Sequence, residues 1–443
     1  MRALLPWLFL CLGGILPASA GSLTPVDRTG EVPELPGFIL GVQNGPSATT
    51  WLPELGAGWV RTSLSWNRID PIITDISLSL EEVLNSPEMV DDYIHNHDWT
   101  SLDNEYRSYL LAGLTPFPVV GLGWYTSYPL YQGEPATPDA IGKDTYLAYM
   151  YLHVRALVER WDGDGYEDAE GITLHLWQTE NELNQAFLTA LWGWRYPAYA
   201  EAFGSAWYDW DFLTDLLITL DRAVHDADPS ALTTLNFHTD IPPEVNHLFR
   251  LPSWEESVTE WRDHMDLVGF DSYPNYYYAD PVKGEVIGDR VETLTVLGGF
   301  KPVIAMEVGY PSGPSDLGYT PEKQAEFLDE AFHSAVEAGI VGYFHFKLSS
   351  PDSDDVDITE QDKMTLAAIG HLFENGHVLA CTAWGITHIP YIEEHFLDVL
   401  QAVEGYWGLV NDAGERKPAF YVYQQFASEV SPRSSRQVRQ PLR

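Results

Sequence analysis

The segment GITLHLWQTENELN, residues 171–184, begins as an apolar strand and ends in a group of polar side chains that includes Asn181 and Glu182. The segment KPVIAMEVGYPS, residues 301–312, has the same form, with Glu307 at the end of its apolar run. An ionised carboxylate is costly to remove from water, so a buried strand normally ends before it meets one. Two carboxylates placed in this way indicate a pocket at the ends of strands.

Outward from these two segments, short apolar strands alternate with longer helical segments along most of the chain. The strands show little polar alternation, which is typical of parallel strands covered on both faces. Eight strands are predicted: FILGV (38–42), WVRTSLSW (59–66), PFPVVGLGW (116–124), ITLHLWQ (172–178), LTTLNFH (232–238), DLVGFDSY (266–273), PVIAMEV (302–308) and IVGYFHFKL (340–348). Helices are predicted between them, most clearly over 145–161, 211–229 and 320–339. This alternation predicts an α/β fold, a (β/α)8 TIM barrel with long βα loops.

The predicted catalytic domain covers residues 36–428 and includes an insertion, residues 349–407, after the eighth strand. Residues 1–20 have the pattern of a signal peptide, with Arg2, an apolar core and the small residues Ala18-Ser19-Ala20 before the cleavage point. Residues 429–443 are predicted to be a disordered basic tail. The predicted location is therefore secreted or periplasmic, with an uncleaved membrane tether as the alternative.

The charge of the chain excludes some classes of partner. Lys and Arg number 24 against 65 Asp and Glu, which gives 24 − 65 = −41. Nucleic acids and anionic membranes both require a basic surface, so no nucleic-acid partner is expected, and no membrane contact after signal cleavage. The acidic excess also fits adaptation to high salt, although acidic secreted enzymes are common.

The chain has two cysteines, and Cys11 lies in the predicted signal peptide. Cleavage leaves only Cys381, so neither a disulfide nor a cysteine metal site is expected.

The two strand-end glutamates suit glycoside hydrolysis. That reaction needs a proton donor on one side of the sugar and a second carboxylate on the other, about 5–5.5 Å apart in retaining enzymes. Glu182 follows the fourth predicted strand and Glu307 ends the seventh, and these strands face each other across an eight-stranded ring. Glu180 is the alternative to Glu182, because side chains two residues apart in an extended chain point the same way. A structural ion pair with Arg61 is the alternative role for Glu307.

WQTENELN resembles the fourth-strand motif of the retaining (β/α)8 glycoside hydrolases of clan A, in which Asn-Glu carries the acid/base. The resemblance implies that Glu182 is the acid/base and that Asn181 binds the sugar 2-hydroxyl. AMEVGYP resembles the seventh-strand motif of the clan, which makes Glu307 the nucleophile. The implied mechanism keeps Glu307 ionised beside Arg61 and Tyr273, and raises the pKa of Glu182 through the nearby Glu307 charge.

Two further segments carry the resemblance. WVRTSLSWNRIDP is similar to the second-strand segment that supplies a supporting arginine, here Arg61, and DLVGFDSYPNYY to the sixth-strand segment that supplies a tyrosine, here Tyr273. The sequence departs from the clan at Asp271, where several families have His or Asn. It also departs on the eighth strand, where Phe346 or Lys347 replaces the usual Trp. The family within the clan is therefore not assigned.

The expected substrate is a β-linked oligo- or polysaccharide. His238, at the end of the fifth strand, and Trp124, in an aromatic-rich loop, are candidate substrate contacts. No cofactor and no metal site is predicted, because the acidic run 352–362 lacks the glycine of an EF-hand loop. A non-catalytic carbohydrate-binding barrel and a transglycosylase with the same two glutamates are the alternative functions. The sugar, the linkage and the oligomeric state are left open by the sequence.

Overall fold

Eight parallel strands form a closed barrel in the computed structural model, which describes residues 26, 35–43, 47–121, 128–188, 204–248, 250–352, 357–374 and 397–430. The barrel strands are β1 (Ile39–Gln43), β2 (Trp59–Ser63), β3 (Thr115–Val119), β4 (Leu176–Asn181), β5 (Leu232–His238), β6 (Leu267–Ser272), β7 (Val303–Val308) and β8 (Gly342–His345). Each strand pairs with its neighbours in chain order, and β1 also pairs with β8, which closes the ring. The predicted (β/α)8 TIM barrel is confirmed.

Helices connect the strands around the outside of the barrel. The described helices are α1 (Ala48–Leu55), α2 (Leu80–Leu84), α3 (Glu88–Asn96), α4 (Thr100–Leu111), α5 (Pro138–Ile141), α6 (Lys143–Glu159), α7 (Trp210–Ala227), α8 (Pro243–Leu248), α9 (Trp254–Trp261), α10 (Val286–Leu297), α11 (Pro321–Glu337), α12 (Glu360–Glu374), α13 (Leu397–Glu404) and α14 (Pro418–Val430). At the start of α11, which was predicted from residue 320, the Thr320 hydroxyl accepts a hydrogen bond from the backbone N–H of Lys323 and so caps the helix.

Short strand pairs lie outside the barrel. Ile72–Ile73, in the connection after β2, pairs with Leu130–Tyr131, in the connection after β3, and Leu130–Tyr131 in turn pairs with Glu134–Pro135. Ser349–Ser350 pairs with Val410–Asn411 and brings the two ends of the predicted insertion together.

The interior of the barrel has an apolar floor and a polar upper layer. The floor is formed by large side chains from six strands: Ile39, Phe117, Leu176, Leu267, Ile304, Met306 and Phe344. Toward the carboxyl ends of the strands the inward side chains become polar, beginning with Arg61 and Gln178. A TIM barrel is a packed core with its functional residues at this end, so the change of polarity locates the candidate site.

The predicted domain boundaries can be compared with the structure only in part. Helix α14 ends at Val430, two residues beyond the predicted end of the catalytic domain, and α12 and α13 lie within the predicted insertion. The predicted signal peptide, Trp124, Cys381 and residues 431–443 lie outside the described residues. Among the helices that the structure describes, none combines the length and the apolar character needed to cross a membrane.

Candidate active site

Arg61 is the centre of the polar layer. It lies on β2, is 1% exposed, and donates hydrogen bonds to side chains from three other strands. Its Nη1 contacts Glu307 Oε1 and lies 2.6 Å from Gln43 Oε1, while Nε lies 2.7 Å from Gln178 Oε1 and Nη2 lies 2.5 Å from Asn181 Oδ1. A guanidinium has five N–H donors in a rigid plane, so these contacts fix the acceptors relative to one another.

Glu307 is held through both of its oxygens. Oε1 pairs with Arg61, and Oε2 accepts a hydrogen bond of 2.5 Å from the Tyr273 hydroxyl. The residue is 8% exposed, so little water competes for these contacts. The structure thus brings Arg61 and Tyr273, both predicted as supporting residues, against the predicted nucleophile.

A shift in strand pairing places Asn181 in the site. On β4, Gln178 pairs with Thr234 of β5, but the next pair joins Asn181 to Asn236, so the chain bulges between these positions. A β-bulge changes the direction of the following side chains. As a result, Gln178 and Asn181 both contact Arg61 although they are three residues apart.

The same bulge separates Glu180 from the site. Glu180 is fully buried, and its Oε2 accepts a hydrogen bond of 2.9 Å from the backbone N–H of Asn181. Its other oxygen faces Gly121 at the end of β3, and its charge acts on Tyr146 of α6. The two glutamates therefore point to different places, and the alternative in which Glu180 replaces Glu182 does not fit this geometry.

Glu182 follows β4 directly and has a left-handed backbone conformation, with φ 48°. It is 6% exposed, and its Oε1 lies 2.9 Å from His238 Nδ1. Its backbone N–H donates to Asn236 Oδ1 over 3.0 Å. A left-handed non-glycine residue is uncommon, and here two contacts with β5 stabilise it. His238, predicted as a substrate contact, is thus a direct partner of the predicted acid/base.

Asn236 and Gln178 join these groups, and the sequence analysis named neither. Asn236 donates through Nδ2 to Asn181 Oδ1 over 2.9 Å and to Asp271 Oδ2, and its own Oδ1 accepts from Gln178. Both amides lie at buried positions of predicted strands, LTTLNFH and LHLWQ. A polar side chain inside such a run is the signal that could have identified them, because buried amides require partners.

Asp271 lies between the two glutamates. In the parallel pairing, Asp271 of β6 is directly opposite His238 of β5 on one side and Glu307 of β7 on the other. Its side chain has no exposed surface, and Oδ1 has no hydrogen-bond partner in the described part of the chain. Three carboxyl groups and one arginine therefore share a small buried volume.

Burial and neighbouring charges shift the pKa values of these groups in different directions. Burial raises the pKa of Asp271, and the charges of Glu307 and Glu182 raise it further, well above its ordinary value. Burial also raises the pKa of Glu307, where the charge of Glu182 adds to the effect and Arg61 opposes it. For Glu182, burial acts upward, but the charge and hydrogen bond of His238 leave its pKa below the ordinary value.

The expectation that the pKa of Glu182 is raised is therefore wrong. The physical reason is His238, whose own pKa is raised by its hydrogen bond to Glu182 despite the opposing effect of burial. Glu182 therefore lies beside two groups whose pKa values are raised, His238 and Asp271.

Aromatic rings pack around Tyr273, the hydrogen-bond partner of Glu307. The ring of Trp407, from the loop after α13, lies 5.1 Å from that of Tyr273 and stacks on Tyr276 at 5.9 Å. Phe346, after β8, lies 5.5 Å from Tyr273. Trp407 was not predicted as a site residue, because nothing in the sequence shows which part of a long insertion returns to the barrel.

One group of three carboxylates among the described residues could hold a metal ion. Asp162, Asp164 and Asp168 have oxygens within 4.8 Å of one another. They lie in the loop between α6 and β4, which connects a helix to the start of a strand. Such loops lie at the opposite end of a barrel from the candidate active site.

Comparisons with known proteins support the fold. No protein-family model and no curated protein matches the sequence. The structure is similar to that of GH5_18 from Streptomyces cattleya in complex with GlcNAc, with a TM-score of 0.53 and 13% identity over 93% of this chain and 82% of that one. It is also similar to a glucosidase from Croceicoccus marinus, with a TM-score of 0.51 and 11% identity over 90% of this chain and 68% of that one. At these identities the likeness shows a shared barrel, and the resemblance to the fold of the clan A glycoside hydrolases is confirmed at that level.

Proposed function

We propose that this protein is a retaining glycoside hydrolase that cleaves β-linked saccharides, with Glu182 as the acid/base and Glu307 as the nucleophile. The observation that carries the proposal is the convergence of these two glutamates. They come from β4 and β7, on opposite sides of the barrel, and the charge of Glu182 acts directly on the pKa of Glu307. Arg61 connects the two sides through Glu307 and Asn181.

In the first step, Glu307 attacks the anomeric carbon while the glycosidic oxygen takes a proton from Glu182. Arg61 and Tyr273 orient the two Glu307 oxygens, so the carboxylate is positioned before substrate arrives. The proton comes from the 2.9 Å hydrogen bond that His238 Nδ1 donates to Glu182 Oε1. As the leaving oxygen gains negative charge, its basicity rises and the proton moves to it through Glu182.

In the second step, Glu182 acts as a base. It takes a proton from a water molecule, which attacks the same anomeric carbon and breaks the bond to Glu307. His238 then stabilises the returned proton on the pair, and the site regains its initial charge. Two displacements at one carbon give net retention of configuration.

The proposal also includes a substrate class and a location for the protein. Solved structures with this fold include a glucosidase and a GH5_18 protein in complex with GlcNAc, which favours a saccharide substrate. The leader-like pattern of residues 1–20 favours export to the periplasm or the medium. If export is correct, mass spectrometry of the exported protein will find a chain that begins at Gly21.

Glutamine variants of the two glutamates test the catalytic roles. We expect Glu307→Gln and Glu182→Gln each to lower kcat/KM on aryl β-glycosides by at least about 10³-fold, since each removes a nucleophile or a proton-transfer group. Circular dichroism should show an unchanged fold, because glutamine has the shape of glutamate. Glu105→Gln is the matched control: Asn104-Glu105 is a second Asn-Glu pair, and it lies on α4, where Glu105 pairs with Arg68 and accepts a hydrogen bond from the Tyr109 hydroxyl, away from the candidate site.

Product analysis tests the stereochemistry. We expect proton NMR of the first-formed product to show the anomer of the substrate. Net inversion would contradict the proposed mechanism. Saccharide binding without turnover on a panel of aryl glycosides and β-linked polysaccharides would instead favour a binding barrel, and transfer of the sugar to added acceptors would favour a transglycosylase.

A further inference from the structure

The buried charge around Arg61 is unbalanced if all nearby carboxyl groups are ionised. Glu182, Glu307 and Asp271 would carry three negative charges, against two positive charges on Arg61 and a protonated His238. All five side chains are mostly or fully buried. A buried charge without a counter-charge is very costly, so one carboxyl group is expected to be neutral.

The contacts identify which carboxyl group is neutral. Glu307 has Arg61 on one oxygen and the Tyr273 hydroxyl on the other, and Glu182 has His238. Both arrangements stabilise an ionised carboxylate. Asp271 has only the Asn236 amide, on Oδ2, and its buried Oδ1 has no hydrogen-bond donor in the described parts of the chain.

The groups that face Asp271 come from every neighbouring strand. Beside it in the sheet are His238 of β5 and Glu307 of β7, and further titratable or charged groups reach it from β2, β4 and β6. These are Arg61, Glu182 and Tyr273. Two of these neighbours are carboxylates, which accept hydrogen bonds but cannot donate them, and Glu182 is close enough to interact with Asp271 directly.

We propose that Asp271 is a positioning residue that remains a neutral carboxylic acid in the resting enzyme and donates its proton to a hydrogen bond with Glu182. Glu182 is then held between two donors, His238 Nδ1 and the Asp271 hydroxyl. The role of Glu182 rests on the proposed function, whereas the protonation state of Asp271 does not. Burial together with the charges of Glu307 and Glu182, which raise the pKa of Asp271, supports this assignment.

Infrared difference spectroscopy at pH 7 tests the protonation state directly. We expect the spectrum of Asp271→Asn, relative to the wild-type chain, to lack the C=O stretching band of a neutral carboxylic acid. The matched control is Asp289→Asn, the same substitution at an exposed aspartate on α10, which should remove only carboxylate bands. Loss of carboxylate bands in Asp271→Asn would overturn the proposal.

A second measurement keeps the test decisive if Asp271→Asn does not fold. In the wild-type chain, labelling of the aspartate carboxyl carbons with 13C should shift the neutral-acid band, because Asp271 is, in the described part of the chain, the one aspartate beside Glu182 and Glu307 in the site. A neutral-acid band that shifts only when the glutamate carboxyl carbons are labelled would overturn the proposal. These spectra do not depend on glycosidase activity, so their outcome is separate from the outcome for the proposed function.

The pH profile of activity separates the two protonation states of Asp271, because Asp271→Asn shifts the alkaline limb of kcat/KM in a different direction for each. If Asp271 is neutral, asparagine replaces one neutral donor by another, and the alkaline limb of kcat/KM stays in place or moves to higher pH. If Asp271 is ionised, the substitution removes a negative charge beside Glu182, lowers the pKa of Glu182 and moves that limb to lower pH.

We expect Asp271→Asn to lose no more than about 10-fold in kcat/KM and Asp271→Ala about 100-fold, because only asparagine keeps a donor that positions Glu182. Equal losses would contradict the positioning role.

Discussion

At the scale of single residues, Arg61 determines how the site is held together. It is almost fully buried, and its guanidinium contacts Gln43, Gln178, Asn181 and Glu307. The positive charge is stabilised by Glu307, whose charge and hydrogen bond raise the pKa of Arg61 although burial opposes them. Removing one partner of a buried pair leaves the other charge without compensation, which costs far more than removing an exposed pair.

Replacement of Arg61 by methionine tests this arrangement. We expect Arg61→Met to lower the free energy of unfolding by about 3–5 kcal/mol, since Glu307 would remain buried without its counter-charge. Hydrolysis should also fall by about 100-fold or more, because Glu307 and Asn181 would lose their common donor. Urea denaturation and steady-state kinetics are the measurements.

Arg68→Met provides the control for Arg61→Met. Arg68 pairs with Glu105 on the surface, with about a third of each side chain exposed, so its loss should cost no more than about 1 kcal/mol. Similar losses in the two variants would mean that the buried network around Arg61 contributes no special stability.

The residues of the site differed in how well the sequence revealed them. Glu182 and Glu307 could be predicted because a carboxylate at the end of an apolar strand has a high desolvation cost, so its presence there indicates a function or a buried partner. Gln178 and Asn236 are neutral, so no comparable cost marked them, and their role depends on contacts between strands. The Glu182–His238 pair could not be predicted, because the distance between the ends of β4 and β5 follows from the bulge and not from spacing along the chain.

At the scale of elements, both glutamates follow an irregularity in the strand pairing. On β4 the pairing with β5 shifts between Gln178 and Asn181, and on β7 the pairing with β6 shifts between Ala305 and Glu307. On β7 the shift lets Met306 fill the apolar floor while Glu307 reaches Arg61. The period of two along a strand therefore does not apply at the positions that matter most, which is why the direction of Glu180 was left open by the sequence.

Close packing of α10 against α11 gives a prediction at this scale. A Cβ atom at Gly288 of α10 would lie 2.9 Å from the backbone oxygen of Ser334 on α11, so the two helices approach closely because this residue has no side chain. We expect Gly288→Ala to destabilise the protein by about 1–3 kcal/mol, as the helices are pushed apart, less the small gain from the better helix propensity of alanine. Thermal unfolding followed by circular dichroism is the measurement.

Gly58→Ala is the matched control, because a Cβ atom there meets no other atom within 4 Å. Its effect should stay within about 0.5 kcal/mol, as for most surface substitutions. A loss at Gly58 as large as that at Gly288 would contradict the packing explanation.

At the scale of the whole molecule, the alternation of strands and helices made the barrel predictable. All eight strands lie where the sequence placed them, but β4 begins at Leu176 instead of Ile172, and β3 ends at Val119, before the predicted end of that strand at residue 124. A strand that is covered on both faces is apolar along most of its length, and this pattern can be recognised in the sequence without knowledge of the tertiary contacts. The long loops have no such pattern, so only the structure shows that Trp407 packs against Tyr273.

The net charge of −41 leads to a prediction for the complete chain. Repulsion among surface carboxylates opposes the compact state, and salt screens it as the Debye length falls from about 10 Å at 0.1 M to about 3 Å at 1 M. We expect the free energy of unfolding at pH 7 to rise over this range of potassium chloride. The same series near the sequence pI of about 4.4 is the control, and the rise should largely vanish there. A flat response at pH 7 would exclude a stabilising role for salt.

The position of Trp407 in the chain has a practical consequence for anyone who recombines this protein with another barrel. The eight strands are complete at His345, yet the ring that backs Tyr273 is encoded more than sixty positions later, beyond α13. A chimera joined directly after the eighth strand would contain the closed barrel and both glutamates but would lack Trp407. The natural exchange unit is therefore the barrel together with everything up to the closing helix.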